Sequence, residues 1–434
     1  MNNNSSTNTS QIYALLDCNN FYVSCERVFA PELNNIPIMV LSNNDGCVIA
    51  RSNEVKALGV KMAEPAFKCR DLVRKHNIQV FSANFPLYAD LSARVMKTLR
   101  KFTPEIEIYS IDEAFLSFSN LHISDYQAYS QKIRQTILRW TGLPVSIGIA
   151  STKTLTKAAN EIAKKDPSLN GVLDFTRLLD KEVDDYLERI PVRDIWGVGR
   201  QYSKKLEAIG IYTAKNLKHA DSKYMRKKMT VLGERCVLEL RGERCFDLDT
   251  NPQPQKGIST TRTFGGEVTD YQDLEEAIAS FTATASEKLR NQNSLANIVI
   301  VFVRTNRFKG GYYSNSYHIR LPKATSSTIL LTKYALLALR NIFKKGYRYK
   351  QSGVLLSGIE PEVQKQTSIF KSDKSNGKAK TLMNTIDAIN RKWGRGQVKL
   401  LSEGIRKPWL YQRTRVSKRY TTDWGELLIV SCNP

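Results

Sequence analysis

Three acidic residues beside apolar runs are the first candidates for chemistry in this sequence. Asp17 ends the apolar run 12–17, and Asp112 and Glu113 interrupt an alternating stretch that is typical of a hairpin with the acids at its tip. Such carboxylates are costly to desolvate unless they are paired or bind a metal. If they converge, they suit Mg²⁺, and two such ions can hold the attacking and leaving oxygens of a phosphoryl transfer. The open alternative is that all three are turn residues that face water.

The charge of the chain is unevenly distributed. The sequence contains 65 Lys and Arg against 42 Asp and Glu, which gives a formal net charge of +23. Residues 1–250 are close to neutral, with 35 basic and 29 acidic residues, whereas residues 251–434 contain 30 and 13. The excess predicts a polyanionic partner, either nucleic acid or an anionic membrane. The asymmetry favours chemistry in the first part and phosphate binding in the second.

Other features argue against several classes of protein. No apolar run approaches the roughly 18 residues of a membrane span, and the polar residues 1–11 are typical of a disordered tail rather than a signal or transit peptide. We therefore expect a cytoplasmic protein that does not bind a membrane. The seven cysteines include no CxxC pair and the four histidines are scattered, which argues against a zinc site, an iron–sulfur cluster and a disulfide framework.

The elements that must position the acids form a predicted mixed α/β core. Period-two alternation and short apolar runs predict strands, and amphipathic spacing predicts helices. The predicted strands are 12–17, 37–41, 47–50, 105–111, 114–118 and 145–150, and the predicted helices are 89–102 and 124–141. Asn44-Asp45-Gly46, between the second and third strands, is a hairpin-turn signal.

Two further patterns follow this core. Gly197-Val198-Gly199 joins two short helices in the manner of a helix–hairpin–helix, whose backbone amides can face a DNA phosphate, and a plain turn is the alternative. Residues 254–360, beginning with a strand near 258–268, indicate the order β-α-β-β-α-β, the split βαβ arrangement of one sheet with two helices on one face. Four basic residues lie on or beside its strands: Arg304, Arg307, Lys309 and Arg320.

Several motifs together resemble one enzyme family. Residues 17–26 (DCNNFYVSCE) and 109–115 (YSIDEAF) resemble the first and second motifs of Y-family translesion DNA polymerases. Residues 42–51 (SNNDGCVIAR) and 153–155 (KTL) are similar to the UmuC branch, which provides the catalytic subunit of bacterial DNA polymerase V. The resemblance runs from about residue 12 to the C-terminus, and the sequence is identified as a member of this family.

The resemblance implies a fold and a domain order. The fold class is α/β and α+β multidomain, a right-hand polymerase with palm, fingers, thumb and little finger. The expected domains are palm and fingers at 12–190 (extending to about 199), a helix–hairpin–helix thumb at 191–250, a split βαβ little finger at 254–360, a linker with a clamp-binding peptide at 361–380, and a basic C-terminal region at 381–434.

The resemblance also implies a reaction and a set of metal ligands. The expected activity is error-prone, DNA-directed synthesis past damaged template bases in SOS mutagenesis, by attack of a primer 3′-OH on the α-phosphate of a dNTP. Asp17, Asp112 and Glu113 match the catalytic acids of the family. With the backbone carbonyl of Cys18, they are expected to hold two Mg²⁺ ions.

Nucleotide and DNA contacts follow from the same match. Tyr22 corresponds to the steric gate that excludes ribonucleotides, and the alternative, a core aromatic, fits Phe21 better. Lys56 and Lys164 align with triphosphate-binding cations, whereas Asn53 stands where many relatives have Tyr. The residues expected to hold the phosphates of the primer–template duplex are Gly197 and Gly199 in the thumb, and Arg304, Arg307, Lys309 and Arg320 in the little finger.

The C-terminal part suggests protein partners. Gln366, Ile369 and Phe370 resemble the Q-x-x-[L/I]-F peptide with which bacterial polymerases dock on the β sliding clamp. The resemblance further implies a UmuD′ dimer and a RecA filament as partners, and a nucleoid-associated location when the protein is active. Aromatic residues among the basic ones favour UmuD′ docking over a single-stranded DNA arm or a cap packed on the little finger. They are Trp393, Trp409, Tyr411, Tyr420 and Trp424.

Two other functions fit part of the sequence. A helix–hairpin–helix DNA glycosylase or nuclease would explain the Gly-Val-Gly hairpin and the basic charge, but neither of the first two motifs. A non-catalytic DNA- and clamp-binding accessory derived from a polymerase would be expected to lack one of the three acids, and all three are present. The sequence therefore favours a translesion polymerase.

Overall fold

The computed structural model describes residues 11–362, 374–410 and 413–429. The chain divides into a first unit, Met1–Pro252 with Arg415–Pro434, and a second unit, Gln253–Thr414. No helix in the described part of the chain is long and apolar enough to cross a membrane. The six cysteines in that part are all free thiols.

The first unit contains mixed strands and helices, as the alternating patterns predict. Its strands are β1 (Tyr13–Cys18), β2 (Ile38–Leu41), β3 (Val48–Arg51), β4 (Gln79–Ser82), β5 (Ile106–Ile108), β6 (Glu113–Ser117), β7 (Val145–Ala150) and β8 (Val172–Asp174). Its helices are α1 (Phe21–Phe29), α2 (Asn53–Ala57), α3 (Arg70–Lys75), α4 (Phe85–Leu99), α5 (Tyr126–Thr141), α6 (Lys153–Lys165), α7 (Asp180–Glu188), α8 (Arg200–Glu207), α9 (Ala214–His219) and α10 (Ser222–Leu240).

A five-stranded sheet in the order β5-β6-β1-β7-β8 lies at the centre of the first unit. Strand β1 is antiparallel to both β6 and β7, and all its residues are buried. Helices α4 and α5 pack on one face of the sheet, and α6 covers the other. A Cβ added to Gly148 of β7 would lie 2.3 Å from the Asn160 nitrogen and the Thr156 oxygen, so only glycine lets α6 approach this closely. The close approach brings the lysines of α6 near the ends of β1 and β6.

A smaller sheet in the order β3-β2-β4 lies beside α2 and α3. Strand β2 is antiparallel to β3 and parallel to β4. Met39, Val48, Val55 and Ile78 are among the residues of its apolar core. Helices α7 to α10 share a further core with α6, and Val198 of the Gly-Val-Gly hairpin belongs to that core.

The second unit confirms the predicted β-α-β-β-α-β order. Its elements are β9 (Ile258–Val268), α11 (Tyr271–Asn291), β10 (Ser294–Thr305), β11 (Ser314–Thr325), α12 (Thr328–Ile342), β12 (Tyr349–Pro361) and α13 (Lys374–Trp393). The sheet is antiparallel in the order β11-β10-β12-β9. Alternate β10 residues Val299, Val301 and Val303 are buried against α11 and α12, so the two helices cover one face.

The C-terminal part differs from the expected linker and separate basic region. Helix α13 begins at Lys374, so the boundary expected at residue 380 falls inside a helix. The charged composition concealed this start, because the first turns of a helix can be polar when its apolar residues come later. Met383 is buried, and Asp387 forms a two-pronged ion pair with Arg290 of α11. The expected single region 381–434 is divided between the two units after Thr414.

Trp409 is a second correction in this part of the chain. It is 2% exposed and packs against Phe281 and Phe264, with ring centroids 5.4 and 6.5 Å away. It therefore belongs to the core of the second unit and is not available for the partner docking expected of the tail. The sequence could not separate Trp409 from the other tail aromatics, because basic neighbours surround all of them.

Candidate active site

The three predicted acids lie together where β1 ends and β6 begins. Asp17 and Glu113 are directly opposite each other in the antiparallel register of these strands, and their side chains share a hydrogen bond. Asp112 immediately precedes β6, and the Cys18 amide donates to its carbonyl oxygen at 2.9 Å. The β5–β6 hairpin thus places Asp112 and Glu113 beside Asp17 at the end of β1.

Each acid already has a polar partner. Lys164 Nζ is 2.6 Å from Asp17 Oδ1, and Lys157 Nζ is 2.9 Å from Glu113 Oε2. Ser110 Oγ donates to Asp112 Oδ1 at 2.5 Å. Within the described residues, no group of three or more His, Cys, Asp or Glu side chains forms a ready metal-binding cluster. The acids are therefore neighbours, and each also has a polar contact with a residue outside the three.

Burial and charge act differently on the two facing acids. Burial raises the pKa of Asp17 to about 7, although Lys164 acts in the opposite direction. Burial also acts to raise the pKa of Glu113, but Lys157 and the hydrogen bond with Asp17 hold it below its ordinary value. The pKa of Asp17 is therefore the higher of the two.

A cavity of about 450 Å³ opens beside these acids. Asp17, Cys18 and Asp112 contribute to its lining, and so do three basic residues from other elements. The basic residues are Arg51, Lys56 and Lys164. Glu113 instead lines an adjoining cavity of about 210 Å³, together with Lys157 and Trp196. The main cavity thus presents oxygen donors and cations to the same volume, an arrangement suited to a metal-bound polyphosphate.

The two aromatic residues at the start of α1 have different environments. Phe21 is 4% exposed, whereas Tyr22 is half-buried, and both line the cavity. The Tyr22 ring stacks on Tyr88 with centroids 4.6 Å apart and an interplanar angle of 19°, and Phe85 meets it edge-on at 6.0 Å. Tyr22 is therefore a fixed aromatic surface beside the acids.

Lys56 is held in position by two asparagines. Its Nζ donates to Asn20 Oδ1 at 2.6 Å and to Asn53 Oδ1 at 3.4 Å. Burial lowers the pKa of Lys56, and the nearby cations Arg51 and Lys164 lower it further. A polyanion that enters the cavity would relieve this repulsion. Asn53 therefore helps to orient a cation here.

Arg51 and Lys157 were missed by the sequence reasoning. Arg51 ends β3, donates to the Val60 carbonyl oxygen, and has a buried Nε without a hydrogen-bond partner among the described residues. It lay inside the motif 42–51 but was not considered as a cation. The sequence feature that could have identified Arg51 is its place at the end of a strand, two residues before Asn53. Nothing in the sequence singles out Lys157, because its role depends on how α6 packs on β6.

The two glycines of the hairpin are exposed, and Val198 between them is buried. Gly197 has a φ of +89°, and a Cβ there would lie 3.0 Å from Cys236 Sγ. Gly199 precedes the first residue of α8. The hairpin backbone therefore faces outward, and glycine is required at residue 197.

The four basic residues predicted in the second unit are all exposed. Arg304 alternates with buried Val303, and Arg320 is paired in register with Ile298, so both lie on the sheet face opposite α11 and α12. Arg307 is in the loop after β10, and Lys309 forms an ion pair of 2.6 Å with Glu267. Arg304 and Arg320 thus share one open face.

Some predicted residues lie outside the described part of the chain. They are Gln366, Ile369 and Phe370 of the clamp-binding peptide, Tyr411, and residues 1–10 of the expected tail. Among the other aromatic residues of the basic C-terminal region, Trp393 and Trp424 are 67% and 91% exposed, and Tyr420 is half-buried.

The fold and the site together define a Y-family DNA polymerase. The structure is similar to a chimera built on the Y-family DNA polymerase Dbh, with a TM-score of 0.64 and 22% identity, over 81% of this chain and 99% of that one. An insertion ternary complex of Dbh gives a TM-score of 0.52 at 21% identity, over the same shares of the two chains. At these identities the likeness concerns the fold.

Sequence comparison narrows the class to one family. Residues 16–161 match the impB/mucB/samB family, 255–369 match its C-terminal domain, and 180–211 match the HHH motif of the same family. Residues 380–430 match a domain of unknown function. UmuC from Salmonella typhimurium is 40% identical over 423 residues, which cover 96% of this chain and all of that protein. MucB from Escherichia coli is 36% identical over 97% of this chain and all of that protein.

The chain therefore belongs to the impB/mucB/samB family, and it is a DNA-directed DNA polymerase of the translesion class. This assignment confirms the class inferred from residues 17–26 and 109–115.

Proposed function

We propose that the protein extends primers past damaged template bases, as an error-prone polymerase of the SOS damage response, at the cavity lined by Asp17 and Asp112. The observation that carries the proposal is that this cavity is lined by two acidic residues, Asp17 and Asp112, and by three basic ones. The substrates are primer–template DNA and a dNTP, whose triphosphate carries the charge that these cations would neutralise.

The donors present fit two Mg²⁺ ions. The carboxylates of Asp17 and Asp112 and the backbone carbonyl of Cys18 are hard oxygen ligands, which Mg²⁺ prefers, and Glu113 lies opposite Asp17. When bound, the ions would lower the pKa of the primer 3′-OH and stabilise the charge on the leaving pyrophosphate. Lys157 holds Glu113 and Lys164 holds Asp17, so the carboxylates are oriented before a ligand enters.

The chain's own residues would bind and select the nucleotide. Arg51, Lys56 and Lys164 would donate charge-assisted hydrogen bonds to the triphosphate. Tyr22 would lie beneath the sugar, where its ring leaves no space for a 2′-OH and so excludes ribonucleotides. Its half-buried position on the cavity supports this role.

DNA and protein partners would use other surfaces. The outward backbone at Gly197 and Gly199 and the face with Arg304 and Arg320 would bind phosphates, which makes DNA affinity dependent on salt rather than on sequence. Arg307 would add to that face, and Lys309 can do so if it exchanges Glu267 for a phosphate. A UmuD′ dimer and a RecA filament are proposed partners, together with nucleoid association when the protein is active.

A clamp peptide is proposed at Gln366, Ile369 and Phe370. An aromatic and an aliphatic anchor typically account for much of the binding energy of such a peptide. Replacing all three by Ala should weaken binding to a β sliding clamp by more than about tenfold and spare extension on short templates. Calorimetric titration of the clamp with both proteins measures this, and equal affinities would contradict the peptide assignment.

The primary test compares Asp112→Ala with Asp71→Ala. Asp71 is an exposed acid of α3, outside the cavity lining, and serves as the matched control. Primer extension on undamaged and abasic templates, with and without a UmuD′ dimer, RecA filament and clamp, measures activity. Fluorescence anisotropy measures DNA binding. Asp112→Ala should lose incorporation and keep DNA affinity within about twofold, because phosphate binding lies mainly elsewhere. Near wild-type extension by Asp112→Ala would overturn the site assignment.

A further inference from the structure

A buried carboxylate lies behind the ring of Tyr22. Glu26 is on α1, one helical turn after Tyr22, and is only 2% exposed. It accepts a hydrogen bond from the Tyr88 hydroxyl, and the side chain of Ser417 also interacts with its carboxyl group and acts to lower its pKa. A buried carboxyl group is stable only where such partners satisfy its oxygens. Its position therefore depends on two residues far away in the sequence.

Tyr88 connects Glu26 to the cavity. Its side chain is completely buried on α4, and its ring is the one that stacks on Tyr22 at 4.6 Å. Phe85, one turn earlier on α4, contacts both tyrosine rings edge-on. Because the Tyr88 hydroxyl is bonded to Glu26, the ring that supports Tyr22 has one fixed orientation.

Residues 415–420, here named the C-terminal strap, are bonded to the residues just before α4. Asn84 is 1% exposed, and its Nδ2 donates to the Ser417 carbonyl at 3.1 Å, to Ser417 Oγ at 3.0 Å and to the Lys418 carbonyl at 3.1 Å. The Ser82 amide donates to the Arg415 carbonyl at 2.9 Å, and the Arg415 amide donates to Ser82 Oγ at 3.0 Å. These buried partners give the strap one register on the first unit.

The strap also contacts the end of α1. The Tyr420 ring stacks on Phe29, the last residue of α1, with centroids 4.5 Å apart and an interplanar angle of 10°. The strap therefore touches the end of the helix that carries Tyr22 and the start of the helix that carries Tyr88. Its Ser417 side chain meets Glu26 between them.

We propose that the C-terminal strap positions Tyr22, through Ser417, Glu26 and Tyr88, and thereby sets how strongly the polymerase excludes ribonucleotides. The inference rests on the proposed role of Tyr22 as the sugar gate. It assigns a role in nucleotide selection to residues 415–420, which lie within the region that matches a domain of unknown function. Glu26, Tyr88 and Ser417 are positioning residues, because they act on the sugar only through the ring of Tyr22.

The test measures sugar discrimination in variants that remove one hydroxyl each. Ser417→Ala removes the strap's contact with Glu26, and Tyr88→Phe keeps the stacked ring but removes its bond to Glu26. Each should lower the ratio of kcat/KM for dNTP to that for rNTP on the order of tenfold, through faster rNTP incorporation. Ser417→Thr keeps a hydroxyl at this position, so its dNTP-to-rNTP ratio of kcat/KM should stay close to that of wild type. Lys418→Ala is the matched control, because Lys418 is exposed and contributes only its carbonyl.

A second measurement separates positioning from a merely structural role. In a Tyr22→Ala protein the gate is gone, so adding Ser417→Ala should cause no further change in the dNTP-to-rNTP ratio. Equal losses of dNTP and rNTP incorporation in Ser417→Ala and Tyr88→Phe, or an unchanged ratio in both, would overturn the strap proposal while Tyr22→Ala still admits ribonucleotides. An unchanged ratio in Tyr22→Ala itself would overturn the gate assignment, and the strap proposal with it. Thermal unfolding midpoints, measured beside the kinetics, should stay close to wild type for Ser417→Ala.

Discussion

Lys164 and Asp17 form an ion pair in which Nζ and Oδ1 are 2.6 Å apart. The Asp17 side chain is 10% exposed and that of Lys164 is 25% exposed, so the pair is largely removed from water. Lys164 also lines the cavity with Lys56 and Arg51. One cation therefore neutralises a buried acid and contributes to a positive surface for phosphate.

Because Lys164 pairs with Asp17 and also lines the cavity, Lys164→Ala should strongly impair nucleotide incorporation. The variant should lower kcat/KM for dNTP incorporation by about tenfold or more, because charge-assisted hydrogen bonds are worth about 1.5–3 kcal/mol. Lys165→Ala is the matched control, since Lys165 is 60% exposed and pairs with Glu161 on the surface of α6. Single-nucleotide incorporation kinetics measure both proteins. Equal kinetics for the two variants would show that Lys164 does not contact the nucleotide.

An ion cluster between α7 and α9 predicts a pH-dependent stability. Lys218 Nζ is 2.7 Å from Asp184 Oδ1, and its side chain is only 5% exposed. Burial acts to raise the pKa of Asp184, but hydrogen bonds from Lys218 and His219 hold it below its ordinary value. The stabilisation is thus present above the unfolded pKa of about 4 and is lost as the pH falls through the lower folded pKa.

Asp184→Asn should therefore lower the free energy of unfolding at pH 7 by about 1–3 kcal/mol. The difference from wild type should begin to shrink below about pH 4, where the unfolded carboxyl group takes up a proton, and should continue to shrink as the pH falls through the lower folded pKa. Urea-induced unfolding of the full chain at several pH values measures it. Asp185→Asn is the control, because Asp185 is exposed on the same helix. A deficit that does not change between pH 7 and pH 3 would contradict the ionic origin.

The strands were largely predictable because their apolar patterns are local. The run 145–150 is β7 and the run 258–268 is β9, with the predicted bounds. The three acids were identified through the resemblance of residues 17–26 and 109–115 to family motifs, and the structure shows that an antiparallel register places Asp17 opposite Glu113. Local pattern thus predicts the elements, whereas the role of the acids needed the family resemblance.

The remaining features depend on packing between distant segments. Lys157 reaches Glu113 only because Gly148 lets α6 lie close to β7. Trp409 and Tyr420 are both tail aromatics in sequence, but one enters the core of the second unit and the other stacks on Phe29 of the first. Composition cannot distinguish these two packing environments, because no local sequence pattern indicates which residues Trp409 and Tyr420 contact.

The open face of the second unit predicts a graded salt effect. Arg320→Ala should weaken DNA binding to a similar extent across sequences and reduce the slope of log affinity against log salt concentration by about one. Arg340→Ala is the matched control, because Arg340 is exposed on α12, which covers the other face of the sheet. Fluorescence anisotropy at several salt concentrations measures both slopes. The same slope for Arg320→Ala and wild type would remove this face from the DNA interface.

The exposed tryptophans of the tail predict where a protein partner binds. Trp393 and Trp424 are 67% and 91% exposed, and exposed aromatic rings are typical anchors of protein interfaces. Replacing either by Ser should spare folding, whereas Trp409→Ser should destabilise the second unit by about 3–5 kcal/mol, because it empties a core position. Deleting residues 381–434 would also remove Trp409, so a loss of partner binding could result from a destabilised second unit. Single substitutions are therefore the sharper test.

If the tail docks a UmuD′ dimer, Trp393→Ser or Trp424→Ser should weaken that association by about tenfold or more at an unchanged unfolding midpoint. Calorimetric titration with UmuD′ measures the affinity, and anisotropy with single-stranded DNA provides the second readout. Bases stack on aromatic rings in single-stranded DNA complexes, so an arm for DNA would instead lose single-strand affinity in these variants and keep UmuD′ binding. Retention of UmuD′ by both variants, with weaker single-strand binding, would assign the tryptophans to nucleic acid, because removing the rings would then have impaired base stacking alone.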